Sequence, residues 1–214
     1  MKTETVGVVE TFVSLQGEST RAGLPCFFVR LGGCNLRCRY CDTRGAYGSG
    51  RTTPVSALAR RFAASKAALA EITGGEPLLQ PGFRSLALAL RRAGGGRPVL
   101  VETNGSLDIS MIPDGVIAVM DIKCPGSGEE KATDWANLKR LRPYDEVKFV
   151  VSDRRDFDWA RRIVTRHKID QCCQAVAFSP VAGKLPAARL AGWILKSGLP
   201  VRLQLQLHKV LGMK

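Results

Sequence analysis

Apolar positions along the chain follow two periods that take turns. Runs rich in branched and aromatic residues predict strands at residues 5–12, 26–31, 70–73, 98–102, 117–122, 146–151, 175–178 and 201–207. Longer stretches with helical spacing predict helices at 55–69, 83–92, 135–141, 157–167 and 187–196. In the first of these, Leu58, Phe62 and Leu69 fall near one face, and Arg60, Arg61 and Lys66 are set away from them. The run Gly94, Gly95, Gly96 ends one helical stretch and Gly198 ends another.

Strands that alternate with helices, and that read as mostly apolar on both faces, predict a parallel sheet covered by helices. The first two strands come as a pair before any helix, with a glycine-bounded loop at 17–23 between them. With roughly six repeating strands, the expectation is an α/β fold of partial (β/α) barrel type rather than a complete eightfold barrel. No internal repeat, low-complexity segment or linker interrupts the sequence, so residues 1–214 are expected to form a single domain.

Composition changes this picture little. Hydrophobic residues make up 45% and charged residues 24%, the balance of a globular protein that buries its own core. There is no apolar run of about 18 residues, so no membrane span is expected. The first dozen residues lack the apolar block of a signal peptide, and the expected location is cytoplasmic. The net charge of +13 would suit nucleic acid, anionic small molecules or a solvated basic surface. Its basic pairs (Arg60/Arg61, Arg91/Arg92, Arg154/Arg155, Arg161/Arg162) mostly sit in helical stretches. Solvated outer faces explain them, and no nucleic-acid partner is expected.

The cysteines do change the picture. Their number, seven, is odd, and metal or redox chemistry is a better account than a disulfide framework. Cys26 opens an apolar run and reads as a buried small hydrophobe, and Cys172 and Cys173 read as structural. Cys34, Cys38 and Cys41 have the spacing C-x3-C-x2-C within the loop 32–43. Three thiolates from one short loop can hold three corners of a cubane cluster and leave the fourth iron open. Structural zinc would want four ligands, usually as two C-x2-C pairs, and both histidines, His167 and His208, lie far along the chain. A redox pair formed by Cys38 and Cys41 would leave Cys34 unexplained.

With Tyr40 just before the last cysteine, this triplet resembles the signature of the radical S-adenosylmethionine (SAM) superfamily. The segment Gly74-Gly75-Glu76-Pro77, after a predicted strand, is similar to that family's loop at the methionine end of SAM. The physical logic is that glycines permit close backbone approach and a carboxylate meets an ammonium. By itself the segment would pass for an ordinary strand-to-helix turn. The resemblance implies a [4Fe-4S] cluster on Cys34, Cys38 and Cys41 whose open iron chelates SAM. One-electron reduction would then release methionine and a 5′-deoxyadenosyl radical.

Further markers fall at the ends of predicted strands, where barrel enzymes place their sites. They are Ser14-Leu15-Gln16-Gly17-Glu18, Phe28-Val29-Arg30-Leu31-Gly32, Glu102-Thr103-Asn104-Gly105, Asp121-Ile122-Lys123-Cys124-Pro125, Phe178-Ser179-Pro180 and Gln206-Leu207-His208-Lys209. Across nearly the whole chain this set resembles the 7-carboxy-7-deazaguanine synthase family of queuosine (7-deazapurine) biosynthesis. The resemblance implies conversion of 6-carboxy-5,6,7,8-tetrahydropterin to 7-carboxy-7-deazaguanine with loss of ammonia. It also implies Mg2+, an electron donor such as flavodoxin or ferredoxin, and a homodimer. By position, Leu15, Gln16, Gly17, Glu18, Arg30, Thr73 and His208 would meet the pterin. Tyr40, Asp42, Gly75, Glu76, Asp121, Lys123 and Ser179 would meet SAM, and Thr43 would ligate Mg2+.

Plainer readings stand beside these. Arg30, opposite apolar Val29 and Leu31 on its strand, needs either an anionic ligand or an internal carboxylate. His208 would share a polar strand face with Arg202, Gln204 and Gln206, turned to a pocket or to solvent. Lys123 could be a strand-edge charge and Thr43 a turn residue. Two features depart from the family pattern: Ser19 stands where a second glycine is expected, and the tail ends Leu211-Gly212-Met213-Lys214. Two other functions compete. An activase of glycyl-radical enzymes would share the triplet without needing Gln16, Arg30 and His208. A metal-dependent nucleic-acid-binding module would show a basic stripe.

Overall fold

The computed structural model describes residues 4–213. In chain order the elements are β1 (Thr5–Leu15), β2 (Pro25–Leu31), β3 (Arg51–Pro54), α1 (Val55–Ala64), β4 (Leu69–Gly74), α2 (Phe83–Ala93) and β5 (Val99–Thr103). There follow β6 (Val116–Asp121), β7 (Glu146–Val151), α3 (Arg154–His167), β8 (Ala175–Pro180), α4 (Ala187–Ser197), β9 (Arg202–Leu203) and α5 (Leu207–Val210). The strands form one sheet in the order β3-β1-β2-β4-β5-β6-β7-β8-β9. From β2 onward every pairing is parallel, whereas β1 pairs antiparallel with both β2 and β3. Among the described residues no helix is long and apolar enough to cross a membrane.

The sheet is strongly curved. In a flat sheet β1 and β7 would lie about 24 Å apart, five strand spacings. Yet Glu18, just after β1, receives a hydrogen bond from Lys148 Nζ of β7 at 2.6 Å. The Thr20 amide and hydroxyl reach Glu146 of β7 at 2.9 and 2.6 Å. The loop 16–24 therefore closes across the gap of a partial barrel. Because β1 runs antiparallel, this loop lies at the end of the barrel where the parallel strands begin. The markers after β2, β4, β5, β6 and β8 lie at the other end. The sequence expectation placed them all at one end, and the antiparallel first strand separates Ser14–Glu18 from the rest.

The helices cover the outer face. Phe83, Leu86, Ala87 and Leu90 of α2 and Val55, Leu58 and Phe62 of α1 pack on Val29, Ile72, Val99 and Val101 in the main core. The inner face has a smaller apolar group, Cys26, Phe28, Leu69, Leu100, Ile117 and Val119. It does not continue as apolar wall: Glu71, Glu146 and Lys148, all nearly inaccessible, share that face. The sequence reading of strands apolar on both faces therefore holds outside and fails inside.

The larger departures from the expected elements have local reasons. Helix α1 stops at Ala64, where the Ser65 amide and hydroxyl both bond to the Phe62 carbonyl. Leu69, whose spacing fitted the helix by coincidence, opens β4 and faces the inner cluster. The stretch 135–141 tightens into a 3-10 turn, Trp135–Lys139, capped by the Asp134 carboxylate on the Ala136 amide. Of the predicted strand 201–207 only Arg202–Leu203 pairs with β8, and the chain turns into α5. The edge strand β3, Arg51-Thr52-Thr53-Pro54, carries no apolar alternation by which it could be read.

Lys148 is the strut of this arrangement, 2.6 Å from both Glu18 and Glu102 and almost fully buried. Removing one member of a buried ionic group leaves uncompensated charge, at a cost of about 3–5 kcal/mol. Lys148→Met is expected to lower the free energy of urea unfolding by that amount. Adding Glu18→Gln and Glu102→Gln to it should recover a measurable part.

Candidate active site

The barrel encloses a cavity of about 870 Å³ that runs from the cysteine loop to the hairpin loop. Its mouth is made by residues 34–47. Here the backbone has only one short 3-10 turn of its own, Arg44–Tyr47, and is otherwise fixed by neighbouring segments. The Gly33 amide bonds to Ala46 and Gly48 carbonyls, the Arg39 amide to Ser127, and the Glu76 amide to Gly33. Asn35 is held by Ser106 and Asn104 at the end of β5. The Arg37 guanidinium folds back on the Cys34 and Leu36 carbonyls. Tyr40 reaches across to donate its hydroxyl to the Val150 carbonyl at 3.1 Å.

Cys34, Cys38 and Cys41 all line the cavity, half-buried and free. Burial pushes the Cys34 thiol up and the Cys38 thiol up to about 11, so iron binding must displace protons from them. Three soft donors with no fourth protein ligand beside them among the described residues fit an iron–sulfur cluster that keeps one corner toward the cavity. Around them are polar groups without partners of their own. Asp121 Oδ1 and Ser179 Oγ are buried and make no hydrogen bond, while the other oxygen of Asp121 takes Lys123 Nζ at 2.7 Å. Burial disfavours the Lys123 ammonium, but Asp121 more than reverses this and holds its pKa above the usual range. Lys123 is thus a paired wall group rather than a solvated edge charge.

The two glycines at the end of β4, Gly74 and Gly75, do what their residue type suggests. A Cβ on Gly74 would fall 2.1 Å from the Leu31 carbonyl oxygen, and one on Gly75 2.0 Å from that of Gly33. Both residues line the cavity. Glu76 does not. Its carboxylate is completely buried and takes the Leu78 amide at 3.0 Å, the Thr103 hydroxyl at 2.9 Å and the Asn104 amide at 2.7 Å. The expectation that this carboxylate meets an ammonium is corrected accordingly: Glu76 ties the end of β4 to the end of β5. Ser179 likewise stands behind the lining.

At the mouth, Thr43 donates its hydroxyl to Asp42 Oδ1 at 2.9 Å, and Lys209 of α5 pairs with Asp42 Oδ2. Burial would raise the Asp42 carboxyl, but Lys209 and Thr43 hold it below the usual carboxylate range. Deeper in, Leu15, Gln16, Gly17, Glu18, Arg30, Thr73 and His208 all line the cavity. Of the two partners open to Arg30, the structure supplies the internal one, with Arg30 Nε 2.9 Å from Glu10 on the neighbouring strand. His208 lies on α5 rather than on a strand face. There the Leu207 amide bonds to the Gly17 carbonyl, and a Cβ on Gly17 would sit 2.1 Å from His208 Nδ1. Gly17 is what lets the histidine enter. Ser19 has φ +65°, so the position does favour glycine, and the serine is held there by its amide on Gln204 at 2.9 Å. Met213 also lines the cavity, and Lys214 lies outside the described residues.

Sequence reasoning missed Glu71 and Lys148, and marked Glu102 only as part of a strand-end segment; all three line the cavity beside these groups. Glu18 accepts from Lys148, Gln204 and Gln206, while Glu102 accepts from Lys148 and from Thr73. The signal was present as lone charges at alternate positions of apolar strands, as in Leu69-Ala70-Glu71-Ile72 and Glu146-Val147-Lys148-Phe149. Burial alone would raise the Glu18 carboxyl, but Lys148 and Gln206 keep it below the usual range. Together these groups make a wall rich in hydrogen-bond acceptors below a cysteine-lined mouth. Such a site can hold a polar ligand against a redox cluster.

Because Gly75 has backbone on its side-chain face, Gly75→Ala should displace Gly33 and the cysteine loop. The expected result is reduced iron per chain after anaerobic reconstitution, with an unchanged far-ultraviolet circular dichroism spectrum.

Comparison with known proteins agrees with this geometry. Residues 28–120 match the model of the radical SAM superfamily. A 7-carboxy-7-deazaguanine synthase of Koribacter versatilis is 40% identical over 94% of this chain and 95% of its own length. One from Chlorobaculum tepidum is 43% identical over 98% of this chain and 96% of its own length. In fold, the crystal structure of QueE from Escherichia coli superposes with a TM-score of 0.75 at 21% identity, covering 94% of each chain. Streptococcus suis SuiB bound to its precursor peptide SuiA gives 0.62 at 13% identity, over 83% of this chain and 47% of that one. The chain is a radical SAM enzyme and belongs to the 7-carboxy-7-deazaguanine synthase family.

Proposed function

We propose that this enzyme converts 6-carboxy-5,6,7,8-tetrahydropterin to 7-carboxy-7-deazaguanine with loss of ammonia. The observation that carries the reading is one continuous cavity with three cysteines at its mouth and an acceptor-rich wall of Gln16, Glu18 and Thr73 at its depth. When bound on Cys34, Cys38 and Cys41, the cluster with SAM would supply the radical chemistry that opens the reaction, with an electron from a reductant of flavodoxin or ferredoxin type. What the chain itself contributes is position. Radical abstraction needs the substrate hydrogen held close to the acceptor carbon, so groups that fix the heterocycle are as necessary as the cluster.

In this reading Gly74 and Gly75 admit the methionine end of SAM against backbone, and Asp121, Lys123 and Tyr40 bound its remaining polar groups. Arg30, oriented by Glu10, turns its other guanidinium N–H groups to the substrate carboxylate. His208 and Glu18 complete the pocket from the hairpin side. Mg2+ would be held by Thr43, next to Asp42, where a hydroxyl together with substrate oxygens and water offers the oxygen donors a hard cation takes. The protein works as a homodimer, as family likeness suggests.

Three outcomes follow. Cys34→Ala, Cys38→Ala and Cys41→Ala should each lose the broad iron–sulfur charge-transfer band, while Cys172→Ser with Cys173→Ser keeps it. An intact four-iron spectrum in any of the first three would overturn the cluster assignment. Arg30→Ala should leave that band and SAM cleavage intact but weaken pterin turnover by roughly 1.5–3 kcal/mol of lost charge-assisted contact, with Arg30→Lys restoring part of it. Mass spectrometry should find 7-carboxy-7-deazaguanine only when reduced cluster, SAM and Mg2+ are all present. Cleaved SAM beside unchanged pterin under every condition would sink the substrate assignment.

A further inference from the structure

One buried titratable side chain in the cavity wall has no part in the reading above. Glu71 projects from the middle of β4 into the barrel and is 4% exposed. Lys148 is committed at 2.6 Å to both Glu18 and Glu102, and the hydrogen-bond partner of the Glu71 carboxyl is the Gln16 carboxamide. Gln16 in turn accepts the Glu18 amide on its Oε1 at 3.1 Å, which fixes the orientation of its amide group. The Gln16 donor is thereby turned toward Glu71 Oε2, and both side chains remain part of the cavity lining.

We propose that the Gln16–Glu71 pair is the recognition element for the pyrimidine edge of the bound heterocycle, with Glu71 contacting it directly. This rests on the pterin reading of the site. Such an edge carries an exocyclic amine, a ring N–H and a carbonyl in a row, and the last two set one donor beside one acceptor. A carboxylic acid matches both in a cyclic pair of hydrogen bonds: its O–H donates to the carbonyl and its other oxygen accepts from the N–H. Glu71 is suited to be that acid. Burial, and next to it the charge of Glu102, push its carboxyl well above the usual carboxylate range, against the hydrogen bond from Gln16. With Glu18 and Glu102 already sharing the single Lys148, a third carboxylate here would be uncompensated. Oε2, already accepting from Gln16, retains a second lone pair for the ring N–H.

The neutral isostere separates this from the alternatives. In anaerobically reconstituted holoenzyme with SAM, binding of 6-carboxypterin, which keeps the same edge, is measured by titration alongside its N3-methyl derivative, which lacks the donor. Loss of two neutral hydrogen bonds corresponds to roughly tenfold or more in Kd. Glu71→Leu should weaken 6-carboxypterin by that factor, and Glu71→Gln, whose carboxamide presents the same donor and acceptor, should stay within about threefold of the native protein. The N3-methyl compound should bind the native protein and Glu71→Leu alike. Iron content and SAM cleavage in the absence of pterin report that each variant is folded and loaded. Equal losses in Glu71→Gln and Glu71→Leu would mean an ionised carboxylate is required, and would overturn the proposal. So would native affinity in Glu71→Leu, which would leave Glu71 only a support for Gln16. A native holoenzyme that cleaves SAM yet binds neither compound would instead refute the pterin reading on which the proposal depends.

Discussion

The barrel is open, and what keeps it closed around its cavity is one buried ammonium. Parallel strands from β2 to β9 bond only to their neighbours, so nothing in the ladder joins the first strands to the last. Lys148 makes that join electrostatically, reaching Glu102 two strands away and Glu18 from the loop that spans the gap. Thr20 on Glu146 and Ser19 on Gln204 add hydrogen bonds to the same crossing. Burial disfavours the charge on Lys148, and the two carboxylates more than reverse it, so the ammonium stays charged. A hydrophobic plug could close a barrel of this size just as well, but it would fill the space that substrate needs. An ionic strut spans the gap with little volume and leaves polar atoms facing inward.

The same geometry explains why the two kinds of functional group lie where they do. Parallel strands all end on one side, and there the loops can supply thiols, glycines and the Asp121–Lys123 pair from several strands at once. Ligand-orienting groups must come from the opposite side if they are to press a substrate toward the cluster. The antiparallel β1 achieves this, because its end at Leu15 delivers Gln16, Gly17 and Glu18 to the floor of the cavity. Helix α5 then lines the wall beside the floor with His208 and reaches the mouth through Lys209 on Asp42.

Legibility in the sequence follows from how local each feature is. The cysteine triplet and the paired glycines were readable because their chemistry depends on spacing within a few residues. The strand–helix alternation was readable because each outer face must be apolar to take a helix. Glu71 and Lys148 were not, nor was the partnership of Glu102 with Lys148, since a lone charge in an apolar strand acquires meaning only when curvature brings β1, β4, β5 and β7 around one space. Glu76 shows the reverse case. Its neighbourhood was recognisable, but the carboxylate's direction was not, because the donors that capture it come from Leu78, Thr103 and Asn104, two of them on another strand end.

A tension remains between the surface and the interior, and it fits the chemistry. The chain carries a net charge of +13, yet the deep wall sets Glu18, Glu71 and Glu102 around a single Lys148. A basic exterior favours the approach of a carboxylate-bearing molecule. An acidic interior would repel that carboxylate unless it stopped short of the floor. Arg30 lies at the level of Thr73 in the β2–β4 register, one inward-facing step nearer the mouth than Glu71, and offers a cation there. On the proposed reading an anionic substrate would be oriented by charge before any base-edge contact forms, with its carboxylate at Arg30 and its ring toward the groups below. The polarity of the wall, more than the shape of the cavity, decides which way round the ligand enters.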